Sequence, residues 1–189
     1  MQNRLLTNKI VIHHSASPVS TTMEQVDGWH RNQGFSMIGY HYFIEADGEV
    51  RIGRPDWAIG AHALSANKDG LGICLAGNFE EAPPLPIQII SLVSLIKEIR
   101  MAYGDIPVVR HSDVDPTACP GALFPYELVL ERLGEGVDDV LVDIKVIVKG
   151  QELTGKVIDN VTYVPARALV DALNYQVSYD ATDRVVTIK

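Results

Sequence analysis

Short apolar runs alternate with amphipathic stretches through the first two thirds of the 189-residue chain. Lys9-Ile-Val-Ile-His13 is a compact apolar run and predicts a strand. Thr21 followed by Glu24 has the form of a capping box. It opens a helix through about Asn32, with Met23, Val26 and Trp29 on the inner side. Gly39–Ala46 and Glu49–Ile52 flank Asp47-Gly48, a two-residue turn signal, and predict a hairpin. Leu71–Ala76 reads as a buried strand. After Pro86, Ile89, Leu92, Val93, Ile96 and Ile99 recur at helical spacing and stop before Gly104. Pro107–His111 predicts a further strand, and Pro125 opens a last helix, Tyr126–Leu133. Strands alternating with helices imply an α/β fold, a central mixed β-sheet flanked by helices.

The pattern changes near residue 134. Gly134-Glu-Gly-Val-Asp-Asp139 has two glycines, three acids and no apolar period, the marks of a linker. The predicted organisation is therefore a first domain over 1–134, a linker over 135–140 and a small module over 141–189. In the module, Val142–Val148 and Val157–Val164 are β-rich. Pro165 starts a short helix with Ala168, Leu169 and Leu173 on one side. Tyr175–Tyr179 and Arg184–Ile188 read as strands, giving an α+β module of ββαββ order.

Composition narrows the function classes. Hydrophobic residues make up 47% of the chain and charged residues 21%, enough for a packed core. Lys and Arg number 16 against 24 Asp and Glu, a formal charge of −8. That balance excludes a polybasic nucleic-acid binder. No apolar run approaches the ~20 residues of a membrane-spanning helix. The start, Met1-Gln-Asn-Arg-Leu-Leu, lacks the apolar stretch of a secretory signal, so synthesis in the cytoplasm is expected. Two cysteines do not make a disulfide framework. All six histidines and both cysteines fall before residue 134, which confines imidazole and thiol chemistry to the first part.

Three of these residues form a candidate metal set. His13 and His111 each end a predicted strand, and Cys119 follows in a proline-bracketed loop. Strand ends of an open α/β sheet deliver side chains to one rim. Two imidazoles and a thiolate suit Zn²⁺ and leave a fourth position for water, the pattern of a catalytic site. The spacing alone also fits two core histidines and a small buried thiol.

Five segments add to this pattern: Val11-Ile-His-His-Ser-Ala16, Ile38-Gly-Tyr-His-Tyr-Phe43, Ile59-Gly-Ala-His-Ala63, Gly72-Ile-Cys-Leu-Ala-Gly-Asn-Phe79 and His111-Ser-Asp-Val-Asp-Pro-Thr-Ala-Cys-Pro-Gly121. In this order they resemble the zinc-dependent N-acetylmuramoyl-L-alanine amidases, the type that includes T7-like phage lysozymes and animal peptidoglycan recognition proteins. The resemblance spans about residues 8–133. It implies peptidoglycan as partner, Zn²⁺ as cofactor, and hydrolysis of the amide between muramic acid and L-alanine. It implies His13, His111 and Cys119 as metal ligands and Tyr40 as the catalytic tyrosine. Thr117 matches the second catalytic position, which holds Lys in phage lysozymes and Thr in recognition proteins. A hydroxyl there donates a hydrogen bond without charge; capping the turn before Cys119 is its other reading.

The remaining candidates carry two readings each. His62 either meets substrate or is structural. Asn78, at a strand end, is placed to meet glycan or peptide. Trp57 either stacks on a sugar or covers the core edge. Asp113 and Asp115 either orient ligand imidazoles or shape the loop. His14 and His41 point away from the site by strand alternation. Arg31, Arg51 and Arg54 are candidates for attracting stem-peptide carboxylates.

Residues 142–189 resemble the stalk-type module named after the N-terminal domain of copper amine oxidases. The segment has no His or Cys for copper, and its expected roles are cell-wall targeting or homodimer formation. Together the two resemblances imply an endolysin that reaches the wall after release. Two other classes remain: a non-catalytic peptidoglycan-binding module, which generally lacks the cysteine, and a cytosolic muropeptide-recycling amidase, which usually has Asp and Lys where Cys119 and Thr117 stand.

Overall fold

The computed structural model describes residues 1–134, 142–158, 161–163, 169, 173, 177–180 and 185–188. The chain divides into two compact units, Met1–Glu135 and Gly136–Lys189.

The first unit is built on a five-stranded sheet. Its strands are β1 (Lys9–His14), β2 (Tyr42–Ile44), β3 (Val50–Ile52), β4 (Gly70–Leu75) and β5 (Val108–Arg110), in the order β3-β2-β4-β1-β5. Only β3 runs antiparallel, so the sheet is mixed. The helices are α1 (Met23–Asn32), α2 (Pro86–Tyr103) and α3 (Tyr126–Gly134). β1 and β4 are buried on both faces, which explains their continuous apolar runs.

Strand alternation divides the sheet. Ile10 and Ile12 of β1 and Leu71, Ile73 and Leu75 of β4 face one side, where Ile89, Leu92, Val93, Ile96 and Ile99 of α2 pack. These are the helical positions that the periodicity predicts. Gln88 is fully buried among them. Its side-chain nitrogen donates to the carbonyls of Ala76 (2.9 Å) and Ile44 (3.3 Å), pinning α2 to the sheet. The opposite face holds Val26, Phe43, Cys74 and Ala76, with Tyr40 packed against them.

Several local expectations need correction. The helix cap is Thr22, not Thr21, because Thr22 is extended and exchanges hydrogen bonds with Gln25. Thr21 is buried, and its N–H is spent on the Pro18 carbonyl. Val26 faces inward as expected, but Trp29 is largely exposed. The hairpin is shorter than its apolar pattern, closing through Asp47-Gly48 with Gly48 at φ 83°. His111 opens a 3-10 turn, His111–Asp113, rather than ending β5.

The second unit contains β6 (Val142–Val148), β7 (Gln151–Ile158), β8 (Val161–Tyr163), β9 (Val177–Asp180) and β10 (Val185–Ile188). They form a three-stranded sheet, β6-β7-β8, and a two-stranded one, β9-β10. Among the described residues this is one more strand than the expected ββαββ order. The extra strand follows from Lys149-Gly150, both at positive φ (49° and 82°), a turn that folds β7 back on β6. The expected linker lies outside the described residues. So does the expected helix after Pro165, apart from Leu169 and Leu173, which share a backbone hydrogen bond.

Candidate metal centre and its surroundings

β1 places His13 on the Val11 face of the sheet, beside Cys74 in register on β4. The turn after β5 presents His111, and the following loop returns Cys119. Ligand atoms of His13, His111 and Cys119 lie within 4.8 Å of one another. The Cys119 sulfur is 3.7 Å from His13 Nδ1, and the two imidazole centroids are 4.5 Å apart.

The surroundings favour uncharged donors until a cation arrives. Burial holds the His13 imidazole well below its ordinary pKa, with His62 and His111 adding to the effect. Burial pushes the Cys119 thiol up to about 11, against a hydrogen bond from the His14 N–H (3.4 Å). A buried thiol beside two imidazoles becomes a thiolate when a metal ion compensates its charge. Convergence, donor types and desolvation therefore fit a metal ion, and the N₂S set is one that zinc favours.

Each ligand imidazole has a polar partner at Nε2. His111 Nε2 lies 3.3 Å from a carboxylate oxygen of Asp115, and Asp115 also accepts from the Ser65 N–H. Asp113 instead pairs with Arg110 at 2.8 Å. His13 Nε2 lies 3.0 Å from His62 Nδ1. Burial lowers the His62 pKa to about 3.

Tyr40 sits over the cluster, its ring 5.1 Å from His13. Its phenol is raised well above its ordinary pKa, chiefly by burial and then by the Cys74 and Cys119 thiols. Thr117 is exposed, and its hydroxyl accepts from the Cys119 N–H at 3.2 Å, the turn-capping geometry. His14 points to the other face, where Nδ1 accepts from the Phe79 N–H. His30 Nδ1 accepts from the Gly39 N–H, and His41 is fully buried.

The substrate-contact candidates separate. Asn78 lines a cleft of about 430 Å³ between the segments after β1 and β4, with Ser17, Val19, Phe79 and Pro83. Trp57 is half exposed, and its carbonyl accepts from the Arg4 N–H rather than lining that cleft. His62 is only 9% exposed, with its ring turned toward His13. The three arginines are engaged as well: Arg31 with Asp27, Arg51 with Glu24 and Glu49, and buried Arg54 with the Ile38 and Ile59 carbonyls. The sequence leaves His62 between substrate contact and a structural role and does not show its place behind His13. The signal for it was the glycine two residues before it, whose meaning appears only in three dimensions.

Comparison with known proteins matches residues 3–122 to a family model described as N-acetylmuramoyl-L-alanine amidase. Residues 141–189 match one described as copper amine oxidase N-terminal domain. The endolysin of Enterobacteria phage T3 is 36% identical over 124 residues, 62% of this chain and 82% of the relative. The solved N-acetylmuramoyl-L-alanine amidase LysC from Clostridium intestinale aligns with a TM-score of 0.65 and 38% identity, over 67% of this chain and 85% of its own. The Ph2119 endolysin, from a Thermus scotoductus bacteriophage, aligns at 0.64 and 31% identity, over 71% and 90%.

Proposed function

This chain belongs to the N-acetylmuramoyl-L-alanine amidase family, and we propose on that footing that it works as a phage-type endolysin. It hydrolyses the amide between the lactyl group of muramic acid and L-alanine in peptidoglycan. The observation that carries this reading is the convergence of His13, His111 and Cys119 beneath Tyr40, within a fold shared with amidases.

Zinc is the ion we assign to the three donors. When bound, it supplies Lewis acidity and lowers the pKa of a coordinated water toward neutrality. His13 and His111 would hold it as neutral imidazoles. Cys119 would do so as a thiolate, contributing the one negative charge. Tyr40, with its hydroxyl protonated, donates a hydrogen bond to the carbonyl oxygen as charge develops there. Thr117 keeps Cys119 in place through its backbone N–H, and this positioning role is the one its geometry supports. The cleft beside Asn78 receives part of the glycan or stem peptide.

In this reading residues 1–134 are catalytic, 135–140 connect, and the 141–189 module retains the chain on the wall or pairs it with a second copy. The site of action is the cell wall, reached once the protein is released. Among the described residues no helix is long and apolar enough to cross a membrane.

The test is turbidity loss of purified sacculi with the native protein, with chelator, and with Zn²⁺ restored after chelation. Clearing that chelator stops and Zn²⁺ restores is expected; clearing indifferent to chelator would remove the metal from the account. Parallel digestion of soluble muropeptides separates wall lysis from recycling chemistry, which would prefer the soluble substrate.

A further inference from the structure

The imidazole of His62 is built into the first unit with unusual care for a residue outside the ligand set. Gly72 occupies the β4 position opposite Val11, on the face that carries His13. A Cβ on Gly72 would come within 2.5 Å of the His62 ring carbons. A Cβ on Gly60 would also meet that ring at 2.5 Å. Two glycines therefore make room for one imidazole. The backbone at His62 is fixed by Asn67, whose side-chain oxygen accepts the N–H groups of His62 (2.8 Å) and Ala63 (3.0 Å). The ring stands edge-on to His13 at 5.0 Å and to His41 at 5.5 Å. This setting brings His62 Nδ1 to 3.0 Å from His13 Nε2.

We propose that His62 is a positioning residue for the metal centre: its Nδ1 accepts the Nε2–H of His13 and thereby holds the His13 Nδ1 lone pair toward Cys119. A neutral imidazole carries one proton, so the nitrogen that bears it decides which nitrogen can ligate. His13 Nδ1 is the atom that faces the Cys119 sulfur, and it is free to ligate only when the proton sits on Nε2. His111 also has an acceptor beside its ring, since its Nε2 is met by Asp115 at 3.3 Å. Each ligand imidazole thus has a partner at its Nε2, a carboxylate for His111 and a neutral ring for His13. The neutral acceptor orients His13 without placing a second anion behind the centre. The inference rests on the metal-site reading above and deepens it.

Two measurements on the full chain test it. The first uses ¹⁵N-histidine NMR of the metal-free protein near neutral pH. His13 should be the Nε2–H tautomer with a hydrogen-bonded ring proton; a dominant Nδ1–H tautomer overturns the proposal. The second titrates Co²⁺ and Zn²⁺ into the native protein, His62→Leu and His62→Asn. Leu fills the space without an acceptor, whereas Asn offers an oxygen near the position of Nδ1. Affinity should fall about ten- to a hundredfold in His62→Leu, with the thiolate-to-cobalt absorption bands displaced. His62→Asn should recover most of the affinity and the native bands. Native-like affinity and bands in His62→Leu overturn the proposal, whereas failure of the native chain to bind either ion would instead overturn the metal-site reading. Should His62→Leu not fold, the tautomer of native His13 decides the matter.

Discussion

Cys119 is where the chemistry of single residues is most exposed to test. Its thiol is buried, raised to about 11, and directed at His13. Cys119→Ser offers a harder, less acidic donor, and metal content measured after dialysis should fall to near background with sacculus lysis abolished. Tyr40→Phe leaves the three donors intact. Metal content should stay native while kcat drops about 10²–10³-fold, the scale of one lost oxyanion donor. A parallel loss of metal would make Tyr40 a structural residue. Away from the centre, His41 is fully buried and receives a hydrogen bond from the Gly72 N–H. Burial lowers its pKa from 6.5 to about 4. Because the folded value lies below the unfolded one, protonation favours the unfolded chain. This stabilisation is complete above pH 6.5 and is lost as pH falls through 4. The cost on reaching full protonation is about 3 kcal/mol for this one group. Denaturant midpoints recorded from pH 7 to pH 4 should fall accordingly, and less steeply in His41→Asn.

Elements differ in how much of their placement a sequence records. β1, β4 and α2 could be read directly because their burial is continuous or strictly periodic. His13, His111 and Cys119 could be read because each sits in a contiguous motif that resembles a known family. His62 could not be placed: its partner is 49 residues away, and its pocket depends on the β1–β4 register that brings Gly72 beside it. The Thr117 hydroxyl accepts from an N–H two residues on, a local contact that a motif match does not record. The start of α1 shows the limit of a pattern that fits twice, since Thr21 and Thr22 both precede an acid or amide by three residues. Thr22 has the extended backbone that lets its hydroxyl reach the Gln25 N–H. Thr22→Ala should therefore lower stability by about 1 kcal/mol in chemical denaturation. A negligible change would mean that the cap is solvated rather than closed.

For the molecule as a whole, the metal should link folding to function. The ligands come from β1, the turn after β5 and the loop beyond it, so they assemble only in the folded chain. Zn²⁺ at about 100 times Kd should add roughly 2.7 kcal/mol to the first unit, and chelator should lower its Tm. The second unit has its own sheets, and its contribution should appear on intact walls rather than on soluble fragments. The identity of the bond that is cut is decided by mass spectrometry of sacculi digested with the native protein. Stem peptides with free L-alanine amino termini should appear, without new reducing sugar ends, and chelator should abolish them. New reducing ends without free L-alanine would assign the cut to the glycan and rule out amide hydrolysis.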